Sequence, residues 1–128
     1  MPVEFHWHDD STRSILIFTT EDPWNWNDFH KAVRMSLFSL HRLGHAVDTI
    51  LDLRQSTRTP AGAVGHLRSV GKPTTPLISG RAAVVGLDAE TEKSLLAGSK
   101  TRVLHLEKQT IYFVDTLDEA LAHLTDAP

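Results

Sequence analysis

Apolar and polar positions alternate at the start of the chain and then give way to longer apolar runs and helical stripes. Val3, Phe5 and Trp7 alternate with Glu4, His6 and His8, the period-two pattern of a half-exposed strand. After a polar turn at Asp9 to Arg13, the run Ser14 to Thr19 is apolar almost throughout, and the two segments together predict an antiparallel hairpin. Thr20 to Asn25 reads as a loop. Asn25 then supplies a helix cap, and Asp28 sits where the helix dipole favours an acid. Trp26, Phe29, Val33, Leu37, Leu40 and Leu43 recur at three- and four-residue spacing until Gly44, which predicts one amphipathic helix.

The centre of the chain, Val47 to Gly71, carries the strongest core signal. Val47, Ile50, Leu51 and Leu53 form a short apolar run with Asp48 near its start and Asp52 near its end, as in a strand covered on both faces. Arg54 to Thr59 is polar and basic. Pro60 has a φ suited to a first helical turn, so a helix is expected from Pro60 with Thr59 as its N-cap. Ala63, Val64, Leu67 and Val70 give its apolar face, and Gly71, Lys72 and Pro73 its stop. Gly62 and Gly65 each lower intrinsic helicity by about 1 kcal/mol relative to Ala.

Beyond a loop at Pro73 to Gly80, Arg81 to Val85 predicts another strand, and Asp88 caps a helix containing Ala89, Leu95 and Leu96. Gly98 and Ser99 interrupt its continuation through Val103 to Leu106, leaving either one broken helix or two pieces. Ile111 to Val114 is a last strand. Thr116 and Glu119 form a capping box that opens a helix through Leu117, Ala120, Leu121 and Leu124, with fraying expected over residues 125–128. The order β-β-α-β-α-β-α-β-α predicts a single α/β domain over residues 1–128. Its sheet is mixed, with four to five strands, an N-terminal antiparallel hairpin, right-handed crossovers and about four helices.

Composition narrows the function classes. A chain of 128 residues buries a core without metals or disulfides. A formal charge of −3 and a pI near 6.2 argue against general nucleic-acid binding, which needs a basic face. With no cysteine there is no thiolate metal site and no thiol nucleophile. The start MPVEFHWHDD has neither a basic region nor an apolar core of a signal, and no 18-residue apolar run occurs, so no membrane span and a cytoplasmic location are expected.

The element order, the loop between Asp52 and Pro60, and the ending Phe113-Val-Asp-Thr-Leu-Asp-Glu-Ala-Leu resemble the STAS and SpoIIAA-like superfamily, the fold of anti-sigma-factor antagonists. The likeness is greatest to its divergent bacterial single-domain members and extends over nearly the whole chain. It implies a non-enzymatic regulatory domain that docks other proteins. In the phosphorylatable members a strand ending Asp-Leu-Ser precedes an Asp-Ser-Ser-Gly turn that carries the phosphoacceptor serine. Here Asp52-Leu53-Arg54 matches only the beginning, and the turn falls on Pro60-Ala61-Gly62-Ala63, so the usual phosphoswitch is absent. Thr57 and Thr59 are the nearby hydroxyls, with helix capping as the simpler role for either.

Candidate chemistry is sparse. Arg54, Ser56, Thr57, Arg58 and Thr59 surround an expected helix N-terminus, a place suited to an anion or a docking partner. Trp24 and Trp26 with Val64 and Leu67 outline a candidate pocket between the first helix, the second helix and the sheet. His6 and His8, with Asp9 and Asp10 nearby, make only half a metal site, and Gly44 separates His41 from His45, so no metal or cofactor is expected. Asp48 and Asp52 lie about 13 Å apart along one strand, too far to share a substrate atom. The leading expectation is therefore a protein-interaction domain using the Arg54 to Thr59 loop. The alternative is a carrier or sensor of a small apolar or anionic ligand, and a third reading is a homodimer paired through the first strand.

Overall fold

A computed structural model describes residues 2–97 and 99–125 of the chain. Ten elements follow one another as β1 (Val3–Trp7), β2 (Ile15–Thr20), α1 (Trp26–Leu40), β3 (Val47–Asp52), α2 (Ala63–Leu67), β4 (Ile78–Val85), α3 (Ala89–Leu95), β5 (Val103–Leu106), β6 (Gln109–Val114) and α4 (Leu117–Thr125). The six strands form one sheet in the order β1-β2-β3-β4-β6-β5. The inner pairs β2/β3, β3/β4 and β4/β6 are parallel, and the outer pairs β1/β2 and β5/β6 are antiparallel.

Each parallel step moves one place in the same direction across the sheet. Right-handed crossovers then put α1, α2 and α3 on one face. Phe29, Leu67 and Leu95 accordingly share a core with Phe18, Leu51, Val84 and Ile111. The chain leaves β6 toward the other face, where Ala120 and Leu124 of α4 pack on Ile17, Ile50, Ala83 and Val85. Arg81 of β4 fastens that helix by donating to the carbonyl oxygens of His123 and Leu124 at 2.8 and 2.9 Å, which satisfies acceptors that a helix end leaves open. No helix among the described residues is long and apolar enough to cross a membrane.

The α/β class, the N-terminal hairpin and the four helices agree with the sequence pattern; the sheet is larger than expected. Val103–Leu106 is an edge strand rather than helix, and it raises the count to six. Its Leu104 and Leu106 pack on the core while His105 faces out, and a two-residue turn at Glu107 and Lys108 joins it to β6. Lys108 holds φ at +62°, a conformation usually marked by Gly or Asn, so the hairpin is silent in the sequence. Gly98, expected to interrupt the preceding helix, and the expected fraying at residues 126–128 lie outside the described residues.

The second helix is also corrected. It spans only Ala63–Leu67 and does not begin at Pro60. Gly62 occupies the N-cap position with φ +84° and no side-chain cap, and a left-handed residue cannot lie inside a right-handed turn. Ala63, Leu67 and Val70 are buried as predicted, but Val64 is 41% exposed. The first helix keeps its expected start, with Asn25 and Asp28 forming a reciprocal capping box, but ends at Leu40.

A bulge interrupts the pairing of β3 with β4. Val47 pairs with Ile78 and Thr49 with Ala82, so three residues of β3 face five of β4 in that stretch. Gly80 makes the bulge with φ +92°, where a Cβ would overlap the carbonyl oxygen of Lys108. Gly80→Ala is expected to destabilise the fold by about 3 kcal/mol in urea unfolding. Gly65→Ala, within α2 and with no atom near the added methyl group, should stabilise it by about 0.5–1 kcal/mol. Equal midpoints for the two variants would contradict the bulge geometry.

Candidate functional site

The carboxyl ends of β3 and β4 open onto the loop 54–59, and that loop is held by acids. Asp52, 5% exposed, accepts from the Arg54 amide at 3.0 Å, from Nε at 2.9 Å and from Nη2 at 2.8 Å. Burial pushes the Asp52 carboxyl up, but the bonds from Arg54 outweigh it and keep the group below its ordinary range. Thr57 donates its amide and its hydroxyl to Asp22 Oδ2, each at 2.6 Å. These two bonds likewise hold the Asp22 carboxyl low. Thr59 donates to Asp88 Oδ1 at 2.9 Å, and Asp88 also caps α3 by accepting from the Thr91 amide. The Ser56 hydroxyl is hydrogen-bonded to that of Thr20.

Arg54, Ser56, Thr57, Arg58 and Thr59 are thus gathered near one rim, but most of their polar groups are already engaged. Thr59 does not cap α2, because Asp88 takes its hydroxyl. A phosphate on Thr57 or Thr59 would sit against a carboxylate. Among the described residues, Arg58 is the one side chain of this set with no hydrogen-bond or ion-pair partner, and it is exposed. The acids Asp22 and Asp88 lie 35 and 29 residues from the threonines they hold, so no local pattern announces them.

Trp24, Trp26, Val64 and Leu67 do not enclose a pocket. The two indoles meet edge to face at 4.9 Å, Trp26 packs on Phe29, and its Nε1 donates to the Pro60 carbonyl oxygen at 3.2 Å. Trp24, Trp26 and Leu67 are buried filling of the core, while Val64 faces outward. Trp24 Nε1 is buried without a partner among the described residues.

A cavity of about 140 Å³ lies farther down the same face. Its walls are Phe29, His30, Val33, Ser36 and Leu40 of α1, Leu16 and Phe18 of β2, Val47 and Thr49 of β3, and Ile78 of β4. The turn Ser69 to Thr74 closes it. Its origin is geometric. At 1.5 Å per residue, the five residues of α2 cover about 7.5 Å, whereas β4 alone runs about 26 Å. The amino ends of β3 and β4 are therefore roofed by coil. Gln109 of β6 anchors that coil, its Nε2 donating to the carbonyl oxygens of Arg68 and Val70 at 2.9 and 2.6 Å.

Few polar groups reach this space. Ser36 and Ser69 donate to the carbonyl oxygens of Val33 and His66, so both hydroxyls are used. Thr49, 6% exposed, lines the space. His30 is half-buried, with Nε2 2.9 Å from Nδ1 of His66, whose ring stacks on Trp26. Lys72 and Thr74 are exposed at the mouth.

Elsewhere the candidate groups stay apart. Asp48 is bonded by Ser79 and lies 3.7 Å from Arg81, and His45 Nε2 donates to the Arg13 carbonyl oxygen. Among the described residues no three His, Asp or Glu side chains converge in a way that could hold a metal ion. Comparison with known proteins gives no match among family models, curated proteins or solved structures.

Burial, the neighbouring His66 and Arg34 lower the proton affinity of His30. The unfolded chain therefore binds the extra proton first as pH falls, and stability should drop from about pH 6.5 downward. Urea midpoints measured at about pH 7.5 and 5.5 should show this drop, and it should be smaller in His30→Gln. An identical pH slope in the variant would contradict the assignment.

Proposed function

We propose that the chain is a non-enzymatic, STAS-like binding domain whose site is the cavity beneath α1, and that it carries or senses a small, mainly apolar molecule. The observation that carries this reading is the cavity itself, an apolar-walled space of about 140 Å³ between α1 and the sheet. The volume is close to that of an engineered 150 Å³ cavity in another protein that stays dry and takes up benzene or xenon. The STAS-like assignment is supported by the element order and by parallel strands wound in one direction across the sheet. The non-enzymatic reading is supported by Asp48 and Asp52, whose carboxylates are engaged by Ser79 and by Arg54 respectively.

Toluene titrated into isotope-labelled protein should give saturable amide shifts at Val33, Thr49 and Gly71. Val33→Phe should abolish them while keeping the far-ultraviolet spectrum. Shifts elsewhere, or none, would remove the cavity from the proposal. Thr49→Val should change the stability of the unliganded protein by less than about 1 kcal/mol. A loss above that would mean that the hydroxyl is satisfied within the protein.

A second reading, partner docking at the loop 54–59, is favoured by the exposed and unpartnered Arg58. Arg54→Glu is unsuited to test it, because it sets a second carboxylate against the buried Asp52. Arg58→Glu leaves the core alone and should abolish co-purification of a cellular partner; unchanged co-purification would exclude the loop.

A further inference from the structure

We infer that the molecule taken up beneath α1 is a small monocarboxylate, with its apolar body against Val33 and Thr49 and its carboxylate at the mouth beside Lys72. The inference rests on the cavity reading and adds the charge of the ligand.

Charge around the cavity is one-sided. Among the described residues, Lys72 is the only Lys or Arg in the lining, and no Asp or Glu lines it. Lys72 has no ion-pair partner among the described residues. Its backbone is fixed at the mouth by two bonds, its amide donating to the Ser69 carbonyl oxygen and its own carbonyl oxygen accepting from the Thr74 amide. On the α1 side, His30 presents an imidazole, and Arg34 lies close enough to act on it. A cationic ligand would meet Lys72 and find no carboxylate. A phosphate ester would bring two charges to one lysine, without the glycine-rich nest of backbone amides that such groups use. One carboxylate matches one solvated ammonium, and the apolar walls take the rest of the molecule.

Size sets the other limit. About 140 Å³ admits a single six-membered ring or a short branched chain. A longer chain must leave by the mouth.

Toluene, benzamide and benzoate have similar bodies and differ in the group carried to the mouth. Followed by amide shifts in the intact chain, benzoate should bind about two- to fivefold more tightly than benzamide. The preference should shrink as salt is raised, vanish in Lys72→Gln and persist in Lys72→Arg. Benzoate no tighter than benzamide, or a preference unchanged in Lys72→Gln, overturns the carboxylate assignment while toluene binding leaves the cavity reading standing. Failure of all three probes overturns both.

Discussion

Burial of β3 on both faces is the constraint from which the other elements take their places. Ile50 and Leu51, adjacent in sequence and pointing oppositely, are both inaccessible to solvent, so the sheet needs a layer on each side. Full burial of two such side chains contributes roughly 3–6 kcal/mol. Strands added in one direction with right-handed crossovers commit α1, α2 and α3 to one layer. The other layer is then left to α4, which Arg81 secures at its last turn.

The cavity is a by-product of that economy. Gly62 delays the start of α2 and Gly65 weakens its interior, the helix closes after five residues, and the coil that follows cannot fill the space above the amino ends of β3 and β4. The bulge at Gly80 adds to the mismatch by shifting β4 against β3. At the opposite end of the same strands, Asp22, Asp52 and Asp88 draw the loop residues inward. One end of the crossover layer is thus closed by hydrogen bonds and the other is left partly open.

Much of the fold is legible in the sequence because its signals are local. The Asn25 and Asp28 capping box, the stripe on α1, the caps at Asp88 and Thr116 and the apolar strands all depend on residues within a few positions of one another. What escapes is set by distant partners. Thr59 looks like a cap until Asp88 claims it, and Val103–Leu106 looks helical until β6 pairs with it. The cavity draws its walls from four elements and a turn between Leu16 and Ile78, so no spacing encodes it. Thr49 is polar within the run from Val47 to Leu53, but so are Asp48 and Asp52, and nothing local marks it as a cavity residue.

A ligand beneath α1 requires the space between Val33 and Thr49 to be free of side chains. A crystal structure under xenon pressure tests it, since xenon enters apolar cavities of this size without needing the native ligand. A xenon peak enclosed by Val33, Leu40, Thr49 and Ile78 is the predicted result. Continuous side-chain density across that space, with xenon absent, would contradict it.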